Sequence, residues 1–293
     1  MTEPITVAIT GSSGLIGTAL GAALRSAGHR VRPVVRRAPA GPDEIAMDGL
    51  DLTGVDAVVH LAGEGIAEKR WTPEQKSRIR DSRLEGTAAV AAAVAAAGVP
   101  VLLSGSGIHF YGDRGDDVLT EDEGPGTGFL PELCVEWEAA TQPAADAGAR
   151  VALLRTGIVL TPKGGALKKM LPLFKLGLGG RMGSGRQWVP WITLDDHVRA
   201  TMHLLANDLR GPFNLVAPNP VRNQEQAKTI GRVLRRPAIL PTPSFGPKLL
   251  LGSELAETLL DDSIRAVPHR LTESGFEPTH PTLESALRAL LGR

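Results

Sequence analysis

The 293-residue sequence predicts a doubly wound α/β fold, a parallel sheet covered by helices on both faces over residues 1–215, followed by a smaller, mainly helical substrate lobe over residues 216–293. Three observations carry that expectation. Short apolar runs alternate with longer helical segments through the first half. A glycine-rich turn joins the first apolar run to the first helical one. Prolines 218, 220, 237, 241, 243 and 247 then change the texture of the chain.

Strands are expected at Thr6 to Thr10, Arg30 to Val35, Ala57 to Leu61, Val101 to Ser104 and Val151 to Arg155, each a short apolar run. The helices between them start at Gly14, Pro73 and near Leu133. The second is the best marked. Thr72 supplies an N-cap hydroxyl, Pro73 the preset first helical residue, and Glu74 and Gln75 favourable first-turn groups. It is expected to run to Gly98, with small residues from Gly86 onward allowing close approach to a sheet or a bound molecule. Lys163 to Gln187, rich in glycine and basic residues, reads as a long loop or mobile lid. Asp195 and Asp196 read as caps of a helix reaching about Asn207, and Phe213 to Val216 as a further strand. Lys248 to Leu291 reads as a helical tail, with the apolar stretch from Leu249 to Leu251 through Leu259 to Leu260 either in the core of the lobe or on a partner-facing helix.

Lysine plus arginine equals aspartate plus glutamate at 32 each, so no global field would draw the protein to nucleic acid or an anionic membrane. A small-molecule partner is expected. Cys134 is the single cysteine, which excludes an intramolecular disulfide and a Cys-rich metal site and suits a reducing, cytoplasmic setting. Histidines 109, 197, 203, 269 and 280 lack metal-ligand spacing, so no metal is expected. The run Ala88 to Ala97 is too short for the roughly 20 apolar residues that a bilayer needs. Composition leaves the oligomeric state open.

Gly11-Ser12-Ser13-Gly14-Leu15-Ile16-Gly17 follows the first apolar strand and opens a helical run. Such a turn aims backbone N–H groups and the positive end of a helix at a pyrophosphate, with no side chains in the way. In that context the turn predicts a dinucleotide site on a Rossmann-type sheet. The second strand ends in Arg36-Arg37 rather than in an acidic residue, so the expected cofactor is NADP(H), its 2′-phosphate met by guanidinium groups. Asp48 is expected near the adenine.

Further blocks carry a resemblance: His60-Leu-Ala-Gly-Glu64, Ala67-Glu-Lys-Arg-Trp71, Ser82-Arg-Leu-Glu-Gly-Thr87, Ser104-Gly-Ser106, Phe110-Tyr-Gly-Asp113, Trp137-Glu138, Arg155-Thr-Gly-Ile-Val159, Gly183-Ser-Gly-Arg-Gln-Trp188 and Ala217-Pro-Asn-Pro220. By these the sequence resembles the epimerase-like, atypical extended short-chain dehydrogenases/reductases with a C-terminal domain of unknown function. The resemblance implies that Leu61, Ala62, Gly63 and Glu64 pass beside the cofactor and that Arg83 reaches it from the long helix. It also implies that Ser104, Gly105 and Ser106 face the nicotinamide, with Ile158 and Val159 on its other side.

Ordinary members of that superfamily exchange a proton through a tyrosine four residues before a lysine. No Tyr-x-x-x-Lys occurs here, and the only tyrosine, Tyr111, is followed four positions later by Gly115. If Leu133 to Glu138 takes the place of the pair, Cys134 stands for the tyrosine and Glu138 for the lysine, and a carboxylate beside a thiol works against proton release. Cys134 is therefore read as a packing residue. Ser106 remains as oxygen anchor and Tyr111 or Lys69 as proton donor, with Arg186, Gln187 and Trp188 on the substrate side. Each has a plainer reading: a turn serine, a packed aromatic, a solvated cation or an ordinary loop. Three outcomes stay open: a carbonyl or hydroxyl oxidoreductase, an epimerase working by transient oxidation, and a binding module that holds NADP(H) without turnover.

Overall fold

The computed structural model describes residues 3–238, 252–260 and 262–292. A central sheet of parallel strands is formed by β1 (Thr6–Thr10), β2 (Arg30–Val35), β3 (Ile45–Ala46), β4 (Ala57–His60), β5 (Val101–Gly107), β7 (Arg150–Thr156) and β11 (Gly211–Leu215), in the order β11-β7-β5-β4-β1-β2-β3. Short pairs lie outside it: β6 (Val118–Leu119) with β13 (Arg265–Ala266), β8 (Ile158–Leu160) with β10 (Trp191–Thr193), and β9 (Trp188–Val189) with β12 (Val221–Arg222). The helices before the C-terminal segment are α1 (Leu15–Ser26), α2 (Pro73–Ala97), α3 (Phe129–Ala139), α4 (Gln142–Asp146), α5 (Gly165–Lys175), α6 (Leu194–Ala206) and α7 (Asn223–Leu234).

The doubly wound arrangement follows from the two-residue period of a strand. Val7 and Ile9 of β1 face α1 and α6, where they join Leu20, Leu24, Val198 and Leu204 in one buried core. Ala8, between them, faces the other way with Val58 and Leu102, against Val90, Ala91 and Val94 of α2. The long helix behaves as its sequence predicts. Thr72 Oγ1 accepts the Gln75 amide, Pro73 opens the helix, and Gly98 ends it at φ 64°, a left-handed conformation suited to glycine.

Three expectations are corrected. The segment Lys163 to Gln187 is not a loop throughout: α5 occupies Gly165–Lys175, because Leu167, Leu171 and Phe174 recur at helical spacing and bury one face. The cap of α6 is Thr193, whose Oγ1 accepts the Asp196 amide, so Asp195 and Asp196 belong to the first turn. The helix expected near Leu133 begins at Phe129. Leu249 to Leu251 lie outside the described residues, as do the side chains of Leu259 and Leu260; nearby Leu255 and Ala256 are buried.

A second core joins α5, α7 and the terminal helix Leu283–Leu291 through Leu160, Leu167, Trp191, Ile230 and Leu287. Asp196 fastens this part to the sheet. Its carboxylate, 1% exposed, accepts the backbone amides of Thr279 at 2.7 Å and His280 at 3.1 Å, the Thr193 hydroxyl and Arg199 Nη1. Among the described residues no helix is long and apolar enough to cross a membrane.

Asp196→Ala leaves those amides without an acceptor and is expected to cost about 3 kcal/mol of unfolding free energy, since bonds to a buried charged acceptor are among the stronger ones. Urea titration checks this; a loss under about 1 kcal/mol would remove Asp196 as the fastening.

Candidate functional site

The crevice lies where the strand order reverses, between the carboxyl ends of β1 and β4. Gly11 follows β1 at φ 65°, and a Cβ there would stand 2.8 Å from the Leu61 carbonyl carbon. A Cβ at Gly17 would stand 2.3 Å from Gly11 O, so the first turn of α1 can close on the strand only with glycine. Gly14, the N-cap of α1, makes no side-chain cap, and the first turn holds no acidic residue. Ser12, Ser13, Leu15 and Ile16 complete a turn whose amides and helix end are shaped for a pyrophosphate. These features fit a dinucleotide.

Hydrogen bonds hold the opposite rim. Thr10 Oγ1 accepts the Leu61 and Ala62 amides at 3.1 and 3.2 Å, so its own hydrogen goes to His60 Nδ1 at 2.7 Å. His60 then carries its proton on Nε2 and donates it to Thr87 Oγ1 at 3.0 Å, which also accepts Trp137 Nε1 at 2.9 Å. Burial lowers the His60 pKa to about 4, which keeps the ring neutral. Past Gly63, the Glu64 amide donates to Ser82 Oγ and its carbonyl accepts Arg83 Nη1 at 2.9 Å. Arg83 stacks 4.9 Å from the centre of Trp137. Sequence reasoning took His60 as part of a motif and missed its structural work.

Arg36 and Arg37 lie just past β2, beside the glycine turn. Arg37 forms a two-pronged pair with Glu44 at 2.7 and 2.6 Å, whereas Arg36 is exposed and makes no ion pair among the described residues. Asp48 is part of the segment that follows β3.

A cavity of about 510 Å³ opens at the carboxyl edge of β5 and β7. Arg83, Ser106, Ile158, Gln187 and Trp188 line it; Ser104 and Gly105 lie in β5 just before Ser106, with Ser104 fully buried. Ser106 Oγ donates to Glu138 Oε1 at 2.6 Å. Glu138 in turn accepts two bonds from Arg155, at 2.8 and 2.9 Å. Cys134 also lines the cavity, and burial, then the Glu138 carboxylate, push its thiol up to about 12. The thiol is a packing group, as its sequence context implies.

The structure does not bring the other sequence candidates to the cavity. Tyr111 is 0% exposed; its hydroxyl donates to Asn214 Oδ1 at 2.8 Å and accepts Arg155 Nη1 at 3.0 Å. Burial pushes its pKa up to about 12, and its hydroxyl hydrogen points to Asn214 rather than into the cavity. Lys69 is exposed on the loop whose Ile66 and Ala67 line the cavity, and does not line it itself. Arg186 is exposed outside the cavity, its carbonyl taken by Arg222. His109, which sequence reasoning dismissed with the scattered histidines, does line it. Its imidazole makes no hydrogen bond among the described residues, and burial lowers its pKa to about 4. Among the described residues no group of three or more His, Cys, Asp and Glu could hold a metal.

A family model described as the NAD dependent epimerase/dehydratase family matches residues 7–215, and one for a domain of unknown function (DUF1731) matches residues 242–290. Epimerase family protein Mb2239 of Mycobacterium bovis is 48% identical, with 96% of each chain covered. Human epimerase family protein SDR39U1, solved with NADPH, superposes with a TM-score of 0.93 at 34% identity, covering 99% of this chain and 100% of that one. A nucleoside-diphosphate sugar epimerase from Corynebacterium glutamicum gives 0.80 at 38%, covering 99% of this chain and 59% of that one.

Burial holds His60, His109 and His197 at about 4 against an ordinary 6.5. Their folded values lie below the unfolded one, so their contribution to stability is complete above pH 6.5 and is lost as the pH falls toward 4. The expected slope is up to about 1.4 kcal/mol per pH unit for each ring. In urea titrations over that range, His109→Leu should flatten the fall by up to about 1.4 kcal/mol per pH unit. An unchanged slope in the variant would mean that His109 does not contribute.

Proposed function

The chain belongs to the NAD dependent epimerase/dehydratase family, and from that premise we propose that it is an NADP(H)-dependent oxidoreductase acting on a small carbonyl or hydroxyl compound. The observation that carries the reading is the cavity walled by Ser106, His109 and Ile158 at the carboxyl edge of a sheet whose first strand leads into a turn closed by Gly11 and Gly17. The relative solved with NADPH supports the choice of cofactor. Gly11 to Gly17 would hold the pyrophosphate, and Arg36, not engaged as Arg37 is, would meet the 2′-phosphate. Leu61, Ala62 and Arg83 would flank the cofactor, with Ser104, Gly105 and Ile158 around the nicotinamide. When bound, the nicotinamide supplies the two-electron chemistry, taking a hydride from a carbinol carbon or returning it to a carbonyl.

The chain's own residues would handle the oxygen and its proton. Ser106 has its hydrogen committed to Glu138, so its lone pairs are the groups offered to a substrate hydroxyl. His109, neutral and without a protein partner among the described residues, can accept the hydrogen bond of the substrate hydroxyl and relay its proton to solvent as the hydroxyl becomes a carbonyl, the ring's low pKa keeping it from holding that proton. A second reading, NADP(H) binding without turnover, is favoured by one observation: Tyr111 and Lys69 both stand away from the cavity.

Arg36→Asp should weaken NADPH at least about tenfold, or about 1.4 kcal/mol, while NADH holds or tightens. Fluorescence titration reads both; equal loss for the two cofactors would remove Arg36 from its role. In a screen of carbonyl compounds, Ser106→Ala should lower kcat/KM about a hundredfold with NADPH affinity unchanged. Turnover that ignores the substitution would exclude Ser106, and tight NADPH binding with no turnover across the screen would leave the binding-only reading.

A further inference from the structure

The cavity beyond Ser106 runs into the second core, where Leu167, Met170, Ile230, Leu283 and Leu287 line it. Its charge is sparse. Among the described residues the cationic side chains in the wall are Arg83 and Lys169, opposed by Asp262. Arg83 has its Nη1 committed to the carbonyls of Glu64 and Ile79 and its face stacked on Trp137, and Lys169 is exposed. The amino end of α7 reaches the cavity through Asn223, but its first amides are taken: Asn223 N donates to Gln187 O and Gln224 N to Gly185 O, both at 2.9 Å. A diphosphate carries negative charge that guanidinium, ammonium or free helix amides must answer, and among the described residues this wall offers it only the remaining N–H groups of Arg83 and the exposed Lys169, against Asp262.

Besides His109, a second polar group faces the space without a partner among the described residues. Gln226, one turn along α7 from Asn223, is 4% exposed and lines the cavity, and its amide makes no hydrogen bond among the described residues. Buried amides are normally paired, and one left open in a cavity wall marks a place for a ligand's hydrogen-bonding group.

We propose that the cavity takes an uncharged, largely apolar molecule whose reacting oxygen sits at the Ser106 end and whose second, neutral hydrogen-bonding group meets the Gln226 amide, in place of a nucleotide sugar. The placement of the reacting oxygen rests on the oxidoreductase reading above. The distal contact with Gln226 does not.

Trp137 and Trp188 line the cavity, so quenching of tryptophan emission reports its occupancy. The NADPH-loaded protein is titrated with methyl nonyl ketone, with its ω-hydroxy derivative and with UDP-glucose. The hydroxy ketone should bind about tenfold tighter than the plain ketone, as one added hydrogen bond allows. Gln226→Leu should abolish that preference while the plain ketone still binds, and UDP-glucose should bind more weakly than either. Tighter binding of UDP-glucose than of both ketones would overturn the proposal, as would a preference that survives Gln226→Leu. NADPH affinity is measured alone on the same protein, which separates a failed cofactor site, fatal to the oxidoreductase reading, from a cavity that rejects neutral ligands.

Discussion

The guanidinium of Arg155 is 4% exposed at the carboxyl edge of the sheet, and the polar side chains around it are arranged to answer its charge. A buried cation is tolerated only when its partners are in place, and removing one costs far more than the pair contributes. Glu138 supplies a two-pronged carboxylate, the face of Phe110 lies 3.5 Å from the guanidinium carbon, and the Tyr111 oxygen accepts a third N–H. Each partner then has needs of its own. Tyr111 gives its hydrogen to Asn214, the Asn214 side chain donates to Val267 O, and the Asn214 amide donates to Glu121, which also accepts the Arg270 amide. One charge on β7 therefore commits α3, the turn after β5, β11 and the C-terminal segment. The chain reaches the cavity at Ser106.

The sheet was legible because its signals are local. Six strands are expected from apolar runs, and β1 and β2 match those runs end for end. The start and stop of α2 were written in Thr72, Pro73 and Gly98. What the sequence hid was decided by tertiary contact. The helical face of α5 was masked by glycines and lysines around it, and its apolar residues gain meaning only against α7 and the terminal helix. The two-residue strand β3 exists by pairing with β2, at Val34 with Ile45 and Val35 with Ala46, rather than by any apolar run of its own.

The same division runs through the site. The dinucleotide half is built from backbone: Gly11 and Gly17 are fixed by approaches that exclude a Cβ, and such constraints appear in a sequence as glycine at set spacing. The cavity half is built from side chains contributed by β5, α3, α5, α7 and the C-terminal segment, and no spacing along the chain announces that Gln226 and Ser106 share one space. Chemical type does not give position either. Tyr111 and Lys69 have the right functional groups, and only burial and position reveal that one is structural and the other lies off the cavity.

The fate of Tyr111 and that of His109 are one geometric fact. Both sit in the single-turn helix Ile108–Tyr111, where successive side chains leave the axis a third of a turn apart. Ile108 and Tyr111, three residues apart, share a direction and are both buried in the core that also holds Cys134 and Val216. His109 is displaced from that direction and meets the cavity. A turn that hands the tyrosine to Arg155 and Asn214 must therefore present a different residue to the substrate space. On the oxidoreductase reading proposed above, the substrate's proton would leave past position 109 rather than through the tyrosine, and that placement follows from keeping a buried arginine satisfied.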